Sequence, residues 1–203
     1  MILDLHTHSV QSDDGRAKVE NYCQWIRKKN IGIDGFVLTE HRQFDAASDY
    51  RDLEDEHGLL ILKASEVETD YGHVLVFGVN DDLVNSFDFA KIDNPLPEVL
   101  AAAERTGAFA APCHPGRKNV GLFAHYERKG PVKGVHTVEA LNGGSIPGED
   151  ELSSRTGGVK GPWPLPPTLG SEYAQALLLG EAGQKLPAQL RPVLVDQRDV
   201  DLR

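Results

Sequence analysis

Six residues of metal-binding type sit where short apolar runs end or begin. His6 and His8 lie two apart in MILDLHTHS, His41 follows FVLTE, Glu66 closes LLILKASE, His73 opens GHVLVFG and His114 follows AFAAPC. If the first run is a strand, its period of two puts both imidazoles of His-x-His on one face, where they can chelate together. Asp13 is close by in the loop after that strand. Imidazoles and carboxylates without a set of thiolates suit Zn, Mn or Fe rather than a structural cysteine-type zinc site. The expected cofactors are therefore divalent ions.

Such a cluster forms only if the elements bring the run ends together. Strands are predicted at 1–5, 35–38, 59–64, 73–79, 108–112 and 135–141. Helices are predicted at 17–29, 49–57 and 96–105, the last opened by Pro95 or Pro97 and closed by Gly107. In the first helix Val19, Tyr22, Cys23 and Ile26 follow the i, i+3, i+4, i+7 spacing of one apolar face. Strands separated by helices predict a parallel α/β arrangement, as a barrel or an open sheet. In such folds the carboxyl ends of the strands gather at one rim, which would bring five histidines and a glutamate together.

The other polar candidates have plainer readings. His57 suits a helix end, where a cation meets the dipole. His125 lies on a polar helical stretch, and His136 begins a strand whose Glu139 is as good a candidate for the rim. Cys113 precedes His114 in a strand and is expected to face away into the packing. Lys63 lies within a strand, before Glu66, and is not placed to bridge two ions.

The chain has 203 residues, with 31 acidic and 21 basic side chains and a net charge of −10. That charge disfavours long nucleic acids as partners, since phosphate backbones are held mainly by Lys and Arg. A small phosphorylated substrate stays open, because a bound ion can supply the positive charge. Two cysteines are too few for a disulfide framework. The first residues lack a basic region followed by a long apolar one, and no apolar run approaches a membrane span. A cytoplasmic protein with no membrane partner is expected. From 153 onward the sequence is rich in Gly, Pro and Ser. We expect a core over 1–152 and an irregular segment over 153–203, with a short helix near 172–179 and a strand near 193–195.

The ordered set DLHTHS with SDDG, LTEH, SEVETDYGHVLVFG, CHPGR and VEALNGG, spanning about 1–145, resembles the polymerase and histidinol phosphatase (PHP) superfamily. Within it, the chain is similar to small stand-alone members described as metal-dependent phosphoesterases. The resemblance implies a distorted (β/α)7 barrel with two or three metal ions at its rim. It matches His6, His8, Asp13, His41, Glu66, His73 and His114 to metal ligands, with Glu66 as the bridging carboxylate. Arg117, directly after HPG, matches a phosphate contact. His41, Glu66 and His114 are the expected catalytic residues. A metal-activated water would attack the phosphoryl group, and a histidine not fully held by metal would protonate the leaving group.

The superfamily's closing Asp and His are not matched, since the last histidine is His136. The nearest echo is GSEYAQA at 170–176, with Glu172 for the Asp and Gln175 for the His. The alternative reading is therefore a metal-binding module that has lost turnover. An amidohydrolase-type enzyme, which also carries His-x-His after its first strand, is a third. Substrate identity and oligomeric state stay open.

Overall fold

A computed structural model describes residues 1–146 and 148–150. The expected boundary at 152/153, the helix near 172–179, the strand near 193–195, Glu172 and Gln175 lie outside the described residues. The elements in chain order are β1 (Leu3–Thr7), α1 (Val19–Lys28), β2 (Gly35–His41), α2 (Arg51–His57), β3 (Leu60–Thr69), β4 (Gly72–Phe77), α3 (Asp81–Val84), α4 (Leu96–Thr106), β5 (Phe109–Pro112) and α5 (Leu122–Lys129). The five strands form one mixed sheet in the order β1-β2-β3-β4-β5, curled as a half-barrel. The seven-stranded closure implied by the resemblance is not seen among the described residues, and 135–141 forms no strand. That segment runs irregularly past the end of β5, where the Glu139 amide donates to the Pro112 carbonyl at 2.9 Å.

The strictly parallel expectation is corrected. β1–β2 and β2–β3 are parallel, whereas β3–β4 and β4–β5 are antiparallel. Only Asp70 and Tyr71 separate β3 from β4, and two residues can close a hairpin but not a parallel crossover. Gly72 makes the turn possible. Its φ is +100°, and a Cβ there would lie 2.2 Å from the Val120 carbonyl oxygen. The reversal has a consequence for the site: the carboxyl ends of β1, β2, β3 and β5 share a rim with the amino end of β4.

Packing on both faces holds that rim in place. On one face α1 buries Val19, Tyr22, Cys23 and Ile26 in a cluster with Phe36, Leu38 and Ile61. On the other, Leu96, Val99, Leu100 and Ala102 of α4 pack with Val67, Val74 and Val76 and with Leu122 and Phe123 of α5. Phe36–Leu38 of β2 are all buried, as a strand covered on both sides must be. At about 25 cal/mol per Å² of apolar surface, each such Leu or Phe contributes about 1.5–3 kcal/mol. α4 begins after Pro95 and ends at Gly107, whose φ of +74° closes its last turn.

Candidate metal centre

Glu66 is the hub. Its side chain is 1% exposed, and its two oxygens meet different partners. Oε2 lies 2.7 Å from His6 Nε2, 3.0 Å from His8 Nε2 and 3.7 Å from His41 Nε2. Oε1 lies 2.7 Å from His73 Nδ1 and 3.0 Å from His114 Nε2. Each residue arrives by a traceable route. Parallel register sets His41, the last residue of β2, level with Glu66 in β3. His73 pairs with Glu68 across the hairpin, which makes it a diagonal neighbour of Glu66. Between Asp4 and Thr7 the β1–β2 register slips by one residue, a bulge that re-aims His6. The Tyr22 hydroxyl on α1 donates to the His8 carbonyl at 2.8 Å and ties that residue to the helix.

The electrostatics show how unusual this grouping is. Burial alone would push the Glu66 carboxyl up, but the His6 charge and hydrogen bonds from His114, His6 and His73 hold it well below its ordinary range. Burial opposes the charged form of His6, yet Glu139 and Glu66 raise its pKa well above the usual value. Glu139 is held low against its burial, first by His6. His114 is lowered by burial. His41 is raised: burial opposes, and the hydrogen bond with Asp14 and the Glu66 charge prevail.

This donor set suits divalent ions. His6 Nδ1 lies 2.9 Å from Glu139 Oε1 and donates to it, so a neutral ring turns the Nε2 lone pair onto a carboxylate oxygen. That contact needs a proton or a cation between the two atoms. A carboxylate behind a histidine is also the arrangement that orients metal-binding imidazoles. Nδ1 of His8, His41 and His114 is buried with no hydrogen-bond partner, so the bonding capacity of these rings is turned to the Nε2 side. In each of three sets the donor atoms lie within 4.8 Å of one another: His6, Glu66, Cys113 and His114; His8, Asp14 and His41; and His41, Glu66 and His73, which shares a residue with each of the others.

Two expectations are corrected by this geometry. Asp13 is 82% exposed at its side chain, its carboxylate pairs with Arg42, and it belongs to none of the three donor sets. The adjacent Asp14 lies 3.4 Å from His41 Nε2 instead, and that hydrogen bond holds its carboxyl down to about 2. Cys113 does not face away into the packing, since its thiol lies 3.3 Å from Glu66 Oε1. β5 ends at Pro112, and His114 has φ of +29°, so strand alternation no longer governs these two side chains. Burial, with the Glu66 and Glu139 charges, pushes this thiol well up.

Other residues fall into place around the cluster. Arg117 donates to Asn142 Oδ1 at 2.9 Å and lies 3.5 Å from Glu149. Asn142 in turn donates to Glu139 Oε2 at 3.1 Å, which places Arg117 one side chain from the His6–Glu139 pair. Lys63 donates to the Ser48 carbonyl at 2.7 Å, His125 meets the Asn119 carbonyl and His136 is exposed. Glu40 escaped sequence reasoning. It is buried and accepts the Ser9 amide at 3.0 Å and the Ser12 hydroxyl, while Ser12 Oγ accepts the His41 amide at 2.9 Å. A carboxylate inside a buried strand, one residue before a histidine, was its signal, because a buried charge must find donors.

No protein-family model matches the chain, and no curated protein matches it. Solved structures do. One, from Bifidobacterium adolescentis and provisionally named a metal-dependent phosphoesterase, matches with a TM-score of 0.50 at 16% identity, covering 75% of this chain and 81% of its own. At that identity the likeness concerns the fold, a curled mixed α/β sheet. Among the described residues no helix is long and apolar enough to cross a membrane.

Proposed function

We propose that the protein is a metal-dependent phosphoesterase of PHP type that hydrolyses a small phosphorylated substrate. The observation that carries this reading is Glu66, buried at the sheet rim and ringed by His6, His8, His41, His73 and His114. The name of the Bifidobacterium adolescentis structure supports the same class. The two or three ions, of Zn, Mn or Fe, would be held by these six residues with Asp14, and Glu66 would be shared between them. When bound, such ions supply Lewis acidity towards phosphoryl oxygens and lower the pKa of water towards neutrality.

The chain's own residues do the rest. Glu139 fixes the His6 ring, and Glu40 with Ser12 fixes the loop that sets Asp14 beside His41. Arg117 offers a fork of donors that suits a phosphoryl oxygen and would exchange Asn142 for it on binding. A histidine of the cluster not held by an ion would supply the proton to the leaving oxygen. A net charge of −10 favours a small substrate over long nucleic acid.

Hydrolysis of a panel of small phosphomonoesters, with and without chelator, tests the reading. Turnover that chelation abolishes and Zn, Mn or Fe restores supports it. Ions bound without any turnover would instead favour the metal-binding module.

A further inference from the structure

We infer that Cys113 is a sulfur ligand in the inner part of the centre, completing a closed four-donor site with His6, Glu66 and His114. This rests on the metal reading above and goes beyond it, because it assigns the inner ion a donor class and a metal preference. Cys113 and His114 are 0% and 3% exposed, and Glu66 is 1% exposed, so three of the four donors are shut off from solvent. The four donor atoms lie within 4.8 Å of one another, with the thiol 3.3 Å and His114 Nε2 3.0 Å from the same Glu66 oxygen.

Two neighbours in a strand point to opposite faces, so Cys113 and His114 should not reach one carboxylate oxygen. They do so here because His114 sits at φ +29°, a conformation that costs a non-glycine residue of order 1–3 kcal/mol and persists where the surroundings impose it. The backbone on either side is pinned. The Cys113 amide donates to the His73 carbonyl at 3.1 Å and the His114 amide to Glu139 Oε2 at 2.6 Å. The turn thus delivers a thiol and an imidazole into one pocket.

Three consequences follow for an ion held there. Four protein donors leave no open position, the mark of a structural rather than a catalytic zinc site. Thiolate selects Zn or Fe over Mn and Mg, whereas the outer donors, His8, Asp14, His41 and His73, are nitrogen and oxygen only. Binding breaks the S–H bond, sulfur keeps the electron pair for the ion, and the proton passes to the buffer. Among the outer donors Asp14 is 61% exposed, with His41 and His73 at 13% and 17%, so a substrate would approach from the Asp14 side.

Cobalt(II) loaded into the full chain tests this by absorption, independently of activity. The expected result is visible d–d bands plus a near-ultraviolet sulfur-to-cobalt charge-transfer band, kept in C23S and lost in C113S. The other thiol, Cys23, sits in the α1 core. C113S should also retain zinc at least about tenfold more weakly. Cobalt d–d bands without a charge-transfer band in the unsubstituted chain, or a band that survives in C113S, would overturn the proposal while leaving the metal centre in place. Failure of the unsubstituted chain to take up cobalt would overturn the metal reading and this inference together. Should C113S fail to fold, zinc-edge X-ray absorption on C23S decides, with a sulfur scatterer at about 2.3 Å expected and a nitrogen-and-oxygen shell contradicting it.

Discussion

Glu139 accepts a hydrogen bond from His6 Nδ1 at 2.9 Å across 133 residues of sequence, and its other oxygen takes the His114 amide at 2.6 Å. One buried carboxylate therefore orients the His6 ring and anchors the backbone of His114 beside Glu66. Glu139→Gln keeps the shape but removes the charge that fixes the His6 tautomer. Ion affinity should fall about 10- to 100-fold, as loss of such outer partners typically costs. Competition with a chromophoric chelator measures it, and an unchanged affinity would remove Glu139 from the centre.

Asp13 and Asp14 are adjacent and should behave differently. Asp14→Asn removes the carboxylate beside His41 and should lower ion content. Asp13→Asn breaks only an exposed pair with Arg42, worth less than about 1 kcal/mol, and should leave ion content unchanged. Elemental analysis of both variants checks this. The reverse pattern would return the role to Asp13.

Ion uptake should release protons and strengthen with pH. His6 binds its proton well above the ordinary range, so at neutral pH an ion must displace it. Affinity then rises with pH up to the His6 pKa and flattens above it, by about one decade per pH unit if one proton leaves. Calorimetry in buffers of different ionisation enthalpy counts the protons. No proton release at pH 7 would mean that His6 is not displaced.

Asp4 gives the opposite sign in the chelator-treated protein. Burial, the largest influence, raises its carboxyl from 3.8 to about 6. The unfolded chain ionises it more readily, so this group's contribution to stability falls as pH rises from about 4 through 6 and stays low above that. Asp4→Asn should be the more stable protein at pH 7, by on the order of 2–3 kcal/mol, with the gap closing below about pH 4. Urea titrations at the two pH values measure the difference, and an equal gap at both would contradict it.

The parts legible in the sequence are those that obey a simple period. The apolar face at Val19, Tyr22, Cys23 and Ile26 is buried as its spacing requires, and His6 and His8, two apart at the end of β1, both reach one Glu66 oxygen. What escaped depends on geometry that periodicity does not encode. The direction of β4 turned on the two residues before Gly72, and Cys113 on a positive φ one residue later. Asp13 and Asp14 look alike until Arg42 claims one of them. The strand expected over 135–141 does not form, so Glu139 reaches the rim from irregular backbone, and Asn142 lies outside the named strands and helices with no alternation to reveal which way it faces.

Ions per chain test the central claim most directly, measured by elemental analysis of protein purified without chelator or affinity metal. The arrangement around Glu66 predicts two or three ions of Zn, Mn or Fe, and His8→Ala should reduce the count. One ion or none, with the count unchanged in His8→Ala, would contradict the account.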